Sequence, residues 1–181
     1  TNIYPVENYG SAVAPFYTVL AIWVGAIILA AIVRPAPSSK KYPDMTSTQR
    51  FFGRYGMYFI IGQLQALITV VGDLAFFKVQ CLHPFLFYFA SAFTSLTFTL
   101  LIYALVEAFA DVGKAIAVVI LVIQIAGSSG TYPIELLPEF FRRVYLFFPF
   151  PYAINALREC VGGLYEMDYL VYLLELSIFI I

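Results

Sequence analysis

Residues 14–33 run for a full twenty positions without a charged side chain. That matches the roughly 20 apolar residues a helix needs to cross the hydrocarbon of a bilayer. Similar runs recur at residues 55–77 and 84–105, interrupted only by Asp73. The whole chain is 62% hydrophobic and 12% charged, where a soluble domain carries about 25% charge. Eighteen Phe and fourteen Tyr fit the aromatic enrichment found at headgroup level. The sequence therefore predicts an all-α membrane protein, a polytopic bundle of transmembrane helices.

Four full spans are expected, at about 14–33, 55–77, 84–105 and 115–130. The run 169–181 is shorter than a spanning helix and reads as a fifth span that is cut. With no initiator Met, the chain is expected to be a fragment of a longer protein, and all of residues 1–181 to form one transmembrane domain. Orientation comes from the loop 34–54, which holds Arg34, Lys40, Lys41, Arg50 and Arg54 against the single acid Asp44. Short basic loops lie on the cytoplasmic side, which places the start of this chain outside. Thr46 to Gln49 form a capping pattern for a short helix leading into the second span. Residues 106–114 read as a short cytoplasmic turn.

Polar residues within the spans are few and regularly placed. Gly62, Gln65, Thr69, Gly72 and Asp73 recur at three- and four-residue steps along one stripe of the second span. Tyr88, Ser91, Ser95 and Thr99 form a hydroxyl stripe on the third, and Gln124 interrupts the Ile/Val/Leu run of the fourth. Polar groups are costly in hydrocarbon, so these face either other helices, as a hydrogen-bonded seam, or a wet path. In the first span, Tyr17, Ala21 and Gly25 form a small-residue stripe, and central Trp23 reads as packing.

Residues 127–163 are the least ordinary stretch. Gly127, Gly130, Pro133, Glu135 and Pro138 follow the fourth apolar run, then Pro149, Pro151, Arg158, Glu159 and Gly163. Pro138 and Pro151 each suit the first turn of a helix, and Gly162-Gly163 suits a helix end. Glu139 and Arg143 stand at i,i+4 in the favourable order, while Ile154, Leu157 and Val161 share a face. Two short amphipathic helices over 131–163 follow from this. They form either a re-entrant hairpin in the outer leaflet, packed on the bundle because bare backbone needs protein or water at that depth, or a plain interfacial pair.

Catalytic and metal chemistry finds little support. His83 is the only histidine and has no Cys or carboxylate pair at ligand spacing. No Ser/His/Asp set falls on facing helices, and no cofactor is expected. Cys81 and Cys160 fit no metal or redox spacing; they read as isolated side chains or, on an oxidising face, as a disulfide. The lipid bilayer is the evident partner, and no nucleic acid is expected.

Several segments together resemble a known family. Gln124-x-Ala126-Gly127-Ser128-x-Gly130-Thr131-x-Pro133-Ile134-Glu135-Leu136-Leu137-Pro138 resembles the C-terminal membrane region of the phage-infection-protein (YhgE/Pip) family. So do Phe148-Pro149-Phe150-x-Tyr152-Ala153-Ile154-Asn155-Ala156-Leu157-Arg158-Glu159, Gln65-Ala66-Leu67, Gly72-Asp73-Leu74 and Gly113-Lys114-Ala115. That family is similar to ABC-2 type transporter permeases of the bacterial plasma membrane. The resemblance implies a membrane half-transporter with a re-entrant outer hairpin before the last helix, working as a homodimer. It also implies an N-terminal span and a large extracellular region ahead of Thr1. It further implies a separate ATPase docking at the loop carrying Lys40, Lys41, Arg50 and Arg54, since the sequence has no Walker-type glycine-rich loop and is not expected to be an enzyme. The alternative is a membrane anchor for an extracellular domain, serving bacteriophage adsorption or a secretion system.

Overall fold

The computed structural model describes residues 8–33, 44, 46–128 and 138–180, and all regular structure among them is helical. Helix α1 spans Tyr9–Ile32. Helix α2, Ser47–Val71, passes into a π-helical turn at Gly72–Phe76. Helices α3 and α4 follow at Pro84–Phe109 and Asp111–Gly127. The short α5, Glu139–Val144, continues as a 3-10 turn over Tyr145–Phe147. Helix α6 is Phe150–Gly162, and α7, Asp168–Ser177, ends in a 3-10 turn at Ile178–Ile180.

Three of these, α1, α2 with its π turn, and α3, are long and apolar enough to cross a membrane. Helix α4 has 17 residues, about 26 Å at 1.5 Å per residue. Residues 129–137, which the sequence assigns to the end of the fourth span and the start of the hairpin, lie outside the described residues.

Local sequence accounts for the helix ends. Thr46 and Gln49 make a reciprocal capping box: Gln49 N–H donates to Thr46 Oγ1 at 3.3 Å and Thr46 N–H to Gln49 Oε1 at 3.0 Å. This satisfies two orphan donors at the helix start. The box caps α2 itself, which runs unbroken from Ser47 and carries Arg50, Phe51 and Phe52 within the long helix. Pro84 occupies the first turn of α3, and Gly163, at φ 110°, ends α6.

The turn expected over residues 106–114 shrinks to one residue. Helix α3 continues to Phe109, Ala110 reverses the chain at φ 51° and ψ −125°, and α4 starts at Asp111. So abrupt a reversal needs close approach. A Cβ on Gly113 would fall against the Leu105 carbonyl group, 2.6 Å from its carbon and 2.9 Å from Val106 Cα. Glycine at this position is what lets α4 lie against α3.

Successive long helices pack antiparallel. An aromatic cluster marks the centre: Trp23 of α1 meets Phe98 of α3 and Phe150 of α6 edge-on, at centroid separations of 4.8 and 5.4 Å. Phe98 and Phe150 stack at 5.5 Å. Trp23 is fully buried and donates its Nε1–H to the Ala117 carbonyl of α4 at 3.3 Å. Four helices thus converge on one indole, as expected of a packing tryptophan.

Candidate functional site

Two polar seams join the long helices, one along the whole of α1 and one between residues 51–63 of α2 and 92–103 of α3. Between α1 and α2, Gln80 N–H donates to Ser11 Oγ at 3.1 Å, Thr18 Oγ1–H to Asp73, Gln65 Nε2 to the Gly25 carbonyl at 3.4 Å, and Tyr58 OH to the Val33 carbonyl. On α1 these contacts fall at Ser11, Thr18 and Gly25, seven residues apart, the spacing of a helix that presents one stripe to its neighbour. Thr18 escapes the sequence reading because it sits alone among apolar residues; that heptad spacing is the signal that could have found it. Tyr17 and Ala21 of the predicted small-residue stripe are exposed, and only Gly25 reaches α2.

Between α2 and α3, Ser95 Oγ–H donates to the Gly62 carbonyl at 2.8 Å and Gln63 Nε2 to the Ala92 carbonyl at 3.0 Å. Tyr55 OH lies 3.2 Å from the Leu96 carbonyl and 3.4 Å from Thr99 Oγ1, and Tyr103 OH donates to the Phe51 carbonyl at 3.1 Å. A Cβ on Gly62 would come within 2.7 Å of Thr99 Cγ2, so the small residue sets the helix spacing. The single stripe read along α2 is therefore divided. Gly62 faces α3 while Gln65 and Asp73 face α1, because three residues advance a helix by less than a full turn. Thr69 bonds its own helix, to the Gln65 carbonyl at 2.9 Å. Ser91 and Thr94 are buried with no hydrogen-bond partner for their hydroxyls among the described residues, and Tyr88 is partly exposed.

Helix α6 is held differently. It begins beside Trp23, midway along α1, and its residues Phe150, Pro151, Ala153, Ile154, Ala156, Leu157, Cys160 and Val161 are buried. A buried helix start leaves amide donors without intrahelical partners. Here Phe150 N–H donates to Gln124 Oε1 of α4 at 3.1 Å, Pro151 has no N–H to satisfy, and Ala153 N–H reaches the Pro149 carbonyl at 3.2 Å. At the other end, Leu82 N–H, His83 N–H and Cys81 Sγ–H all converge on the Cys160 carbonyl, at 3.1, 3.2 and 3.4 Å. The turn between α2 and α3 thereby caps the end of α6. Both ends of α6 are fastened by other elements of the bundle.

Around the root of α6, Gln124 and Ser128 line a cavity of about 10 Å³ together with Tyr145, Phe148 and Pro151. That volume is about one water molecule. Gln124 Nε2 and Ser128 Oγ are buried there without partners among the described residues.

The remaining predicted residues fall as follows. Gly127 is buried at the end of α4, Pro149 is buried before α6, and Pro138 is exposed before α5. Glu139 and Arg143 form the expected i,i+4 ion pair. Arg158 Nη1 donates to Asn155 Oδ1 at 3.4 Å, and Glu159 accepts from Tyr165 N–H at 2.7 Å. Arg50 donates to Ser47 Oγ at 3.3 Å. Arg54 is half-buried one turn below Tyr58. Gly130, Pro133, Glu135, Lys40 and Lys41 lie outside the described residues. Both cysteines are free thiols, and no group of three metal-ligating side chains forms among the described residues.

These features can be set against known proteins. Residues 1–181 match the model of the family described as ABC-2 family transporter protein. The chain is 31% identical over 161 residues, 89% of its length, to the uncharacterized protein YhgE of Bacillus subtilis (strain 168), of which it covers 20%. It thus spans about a fifth of the length of that relative. No solved structure matches it. Apolar helices in an antiparallel bundle, the family match over every residue and the likeness to YhgE lead to one assignment: the chain belongs to the ABC-2 transporter family, as a multi-pass, YhgE/Pip-like permease region of the plasma membrane.

Proposed function

We propose that this region is the moving part of an exporter driven by a separate ATPase, with α6 as its outer gate. The single observation that carries the reading is the fastening of α6 at both ends, by Gln124 of α4 and by the turn between α2 and α3. A displacement of α4 or α2 is passed to α6 through these bonds. In this reading the loop 34–54 is cytoplasmic, docks the ATPase through Lys40, Lys41, Arg50 and Arg54, and pushes on α2. Residues 131–163 form the re-entrant outer hairpin, the permease works as a homodimer, and the four apolar runs with the 169–181 segment are the spans. The test is charge reversal: Arg50→Glu with Arg54→Glu should release the co-purifying ATPase and stop export. Unchanged export with no ATPase in purified membranes would end the proposal.

A second reading is favoured by the seams. Gln65, Ser95 and Tyr55 are engaged in helix–helix bonds, which suits a static anchor for an extracellular region that serves phage adsorption or a secretion apparatus. Replacing the bundle by an unrelated anchor should then leave adsorption intact, whereas loss of adsorption would count against the anchor.

A further inference from the structure

At the end of the bundle opposite the basic loop, where α1 begins and the π turn closes α2, lies a cavity of about 470 Å³. Its size falls within the range of small-molecule sites. Its wall carries Asp73, Lys78, Tyr17 and Phe77, over a floor that includes Val13 and Ala14. The π turn at Gly72–Phe76 supplies one extra residue and turns Asp73 towards α1; such bulges cluster at functional sites. Lys78 stands two residues beyond it at φ 51°, a conformation that costs about 1–3 kcal/mol and is retained mostly where function requires it.

The charges in this cavity are underused. An ionised carboxylate offers about four acceptor positions. Among the described residues the Asp73 carboxylate receives only the Thr18 hydroxyl, whose single proton is shared with the Ala14 carbonyl, 2.9 Å away. The Lys78 ammonium forms no ion pair with a described residue. A half-buried carboxylate with a fraction of one donor is a receptor for a cation bearing several N–H groups, and the lysine ammonium of the same cavity lining is a receptor for an anion. Two of its lining residues are exposed aromatics, Tyr17 and Phe77, at 56 and 78%, and the exposed Tyr9 and Phe76 adjoin lining residues in sequence, the pattern of a headgroup-level belt.

We propose that this cavity binds a zwitterionic aminophospholipid, with its primary amine on Asp73, its phosphate on Lys78 and its acyl chains leaving between Tyr17 and Phe77. The site goes beyond the transport reading and does not depend on it, because occupancy requires no ATPase and no movement of α6.

Native mass spectrometry of the purified protein tests it, with dioleoyl phosphatidylethanolamine, dioleoyl phosphatidylglycerol and free phosphoethanolamine as probes. Phosphatidylethanolamine adducts should be retained about tenfold better than phosphatidylglycerol adducts, and Asp73→Asn should erase that preference, since a charge-assisted bond is worth about a factor of ten or more. Lys78→Gln, at an exposed position, should lower retention of both lipids. If Asp73→Asn fails to fold, Lys78→Gln decides alone, and unchanged retention overturns the proposal. Equal retention of the two lipids by the unaltered protein also overturns it. Displacement by equimolar free phosphoethanolamine would make the ligand a soluble amine phosphate and overturn the assignment to lipid.

Discussion

Gln124 stands in a stretch of α4, residues 115–126, otherwise built of Ile, Val, Leu and Ala, and its side-chain carbonyl oxygen meets the first amide of α6 at 3.1 Å. Replacing it by Met keeps the volume and removes the acceptor, leaving a buried N–H without a partner. The expected loss is about 1–3 kcal/mol, read as a fall in the thermal midpoint of the purified protein; an unchanged midpoint would mean that Phe150 N–H finds another acceptor. The cysteines offer a second check at this scale. Cys160 has no exposed surface and should resist a water-soluble maleimide until the protein unfolds. Cys81 is partly exposed, but burial pushes its thiol above the ordinary value of 9.0, while a hydrogen bond with the His83 backbone pulls the other way. Because the thiolate is the nucleophile, a raised value delays reactivity on the alkaline side. Its labelling rate should therefore keep climbing where that of an ordinary thiol has levelled off. A midpoint at or below the ordinary value would contradict the burial of this turn against α6.

Among the elements, the junction of α3 and α4 is the most tightly specified. Gly113→Ala places a methyl group against the Leu105 carbonyl, and overpacking of this kind costs about 1–3 kcal/mol. Ala110→Gly should act oppositely, relieving a positive φ at a gain of up to about 1 kcal/mol. Thermal midpoints of both variants settle the matter together, since two shifts of the same sign would not fit this junction. The elements also show what a sequence can reveal. Spans built from charge-free runs declare themselves through length, and Pro151 and Gly163 mark the ends of α6 through their backbone chemistry. Residues 106–114 mislead because Glu107, Asp111 and Lys114 look like a solvated loop. In the structure Asp111 and Lys114 pair across one helical turn of α4 at 2.9 Å. The division of the α2 stripe was equally hidden, because periodicity tells which residues share a face but not how many neighbours that face meets.

For the molecule as a whole, the two kinds of contact separate by place. Side-chain hydrogen bonds distributed along α1, α2 and α3 tie three long helices into one unit. Helix α6 joins that unit at its end, through the turn between α2 and α3, and by an apolar face packed on Trp23 and Phe98, while its start is held by Gln124 of α4 and it also packs against α7. Gln124 was visible in the sequence as a lone polar residue. Its partner was not, because an acceptor for a backbone amide 26 residues away leaves no pattern in either segment. Helix α6 starts near the middle of the bundle, beside Trp23, and rises to the end where α2 closes. Spin labels at Tyr152→Cys and Leu164→Cys, with Cys81 and Cys160 replaced by Ser and Ala, measure it by the ratio of oxygen to nickel-chelate accessibility in bilayers. The account predicts a label at 152 that is deeper by about 10 Å or more, since ten residues of helix rise about 15 Å. Equal accessibility at headgroup depth for both labels would contradict it and leave an interfacial helix in place of a gate.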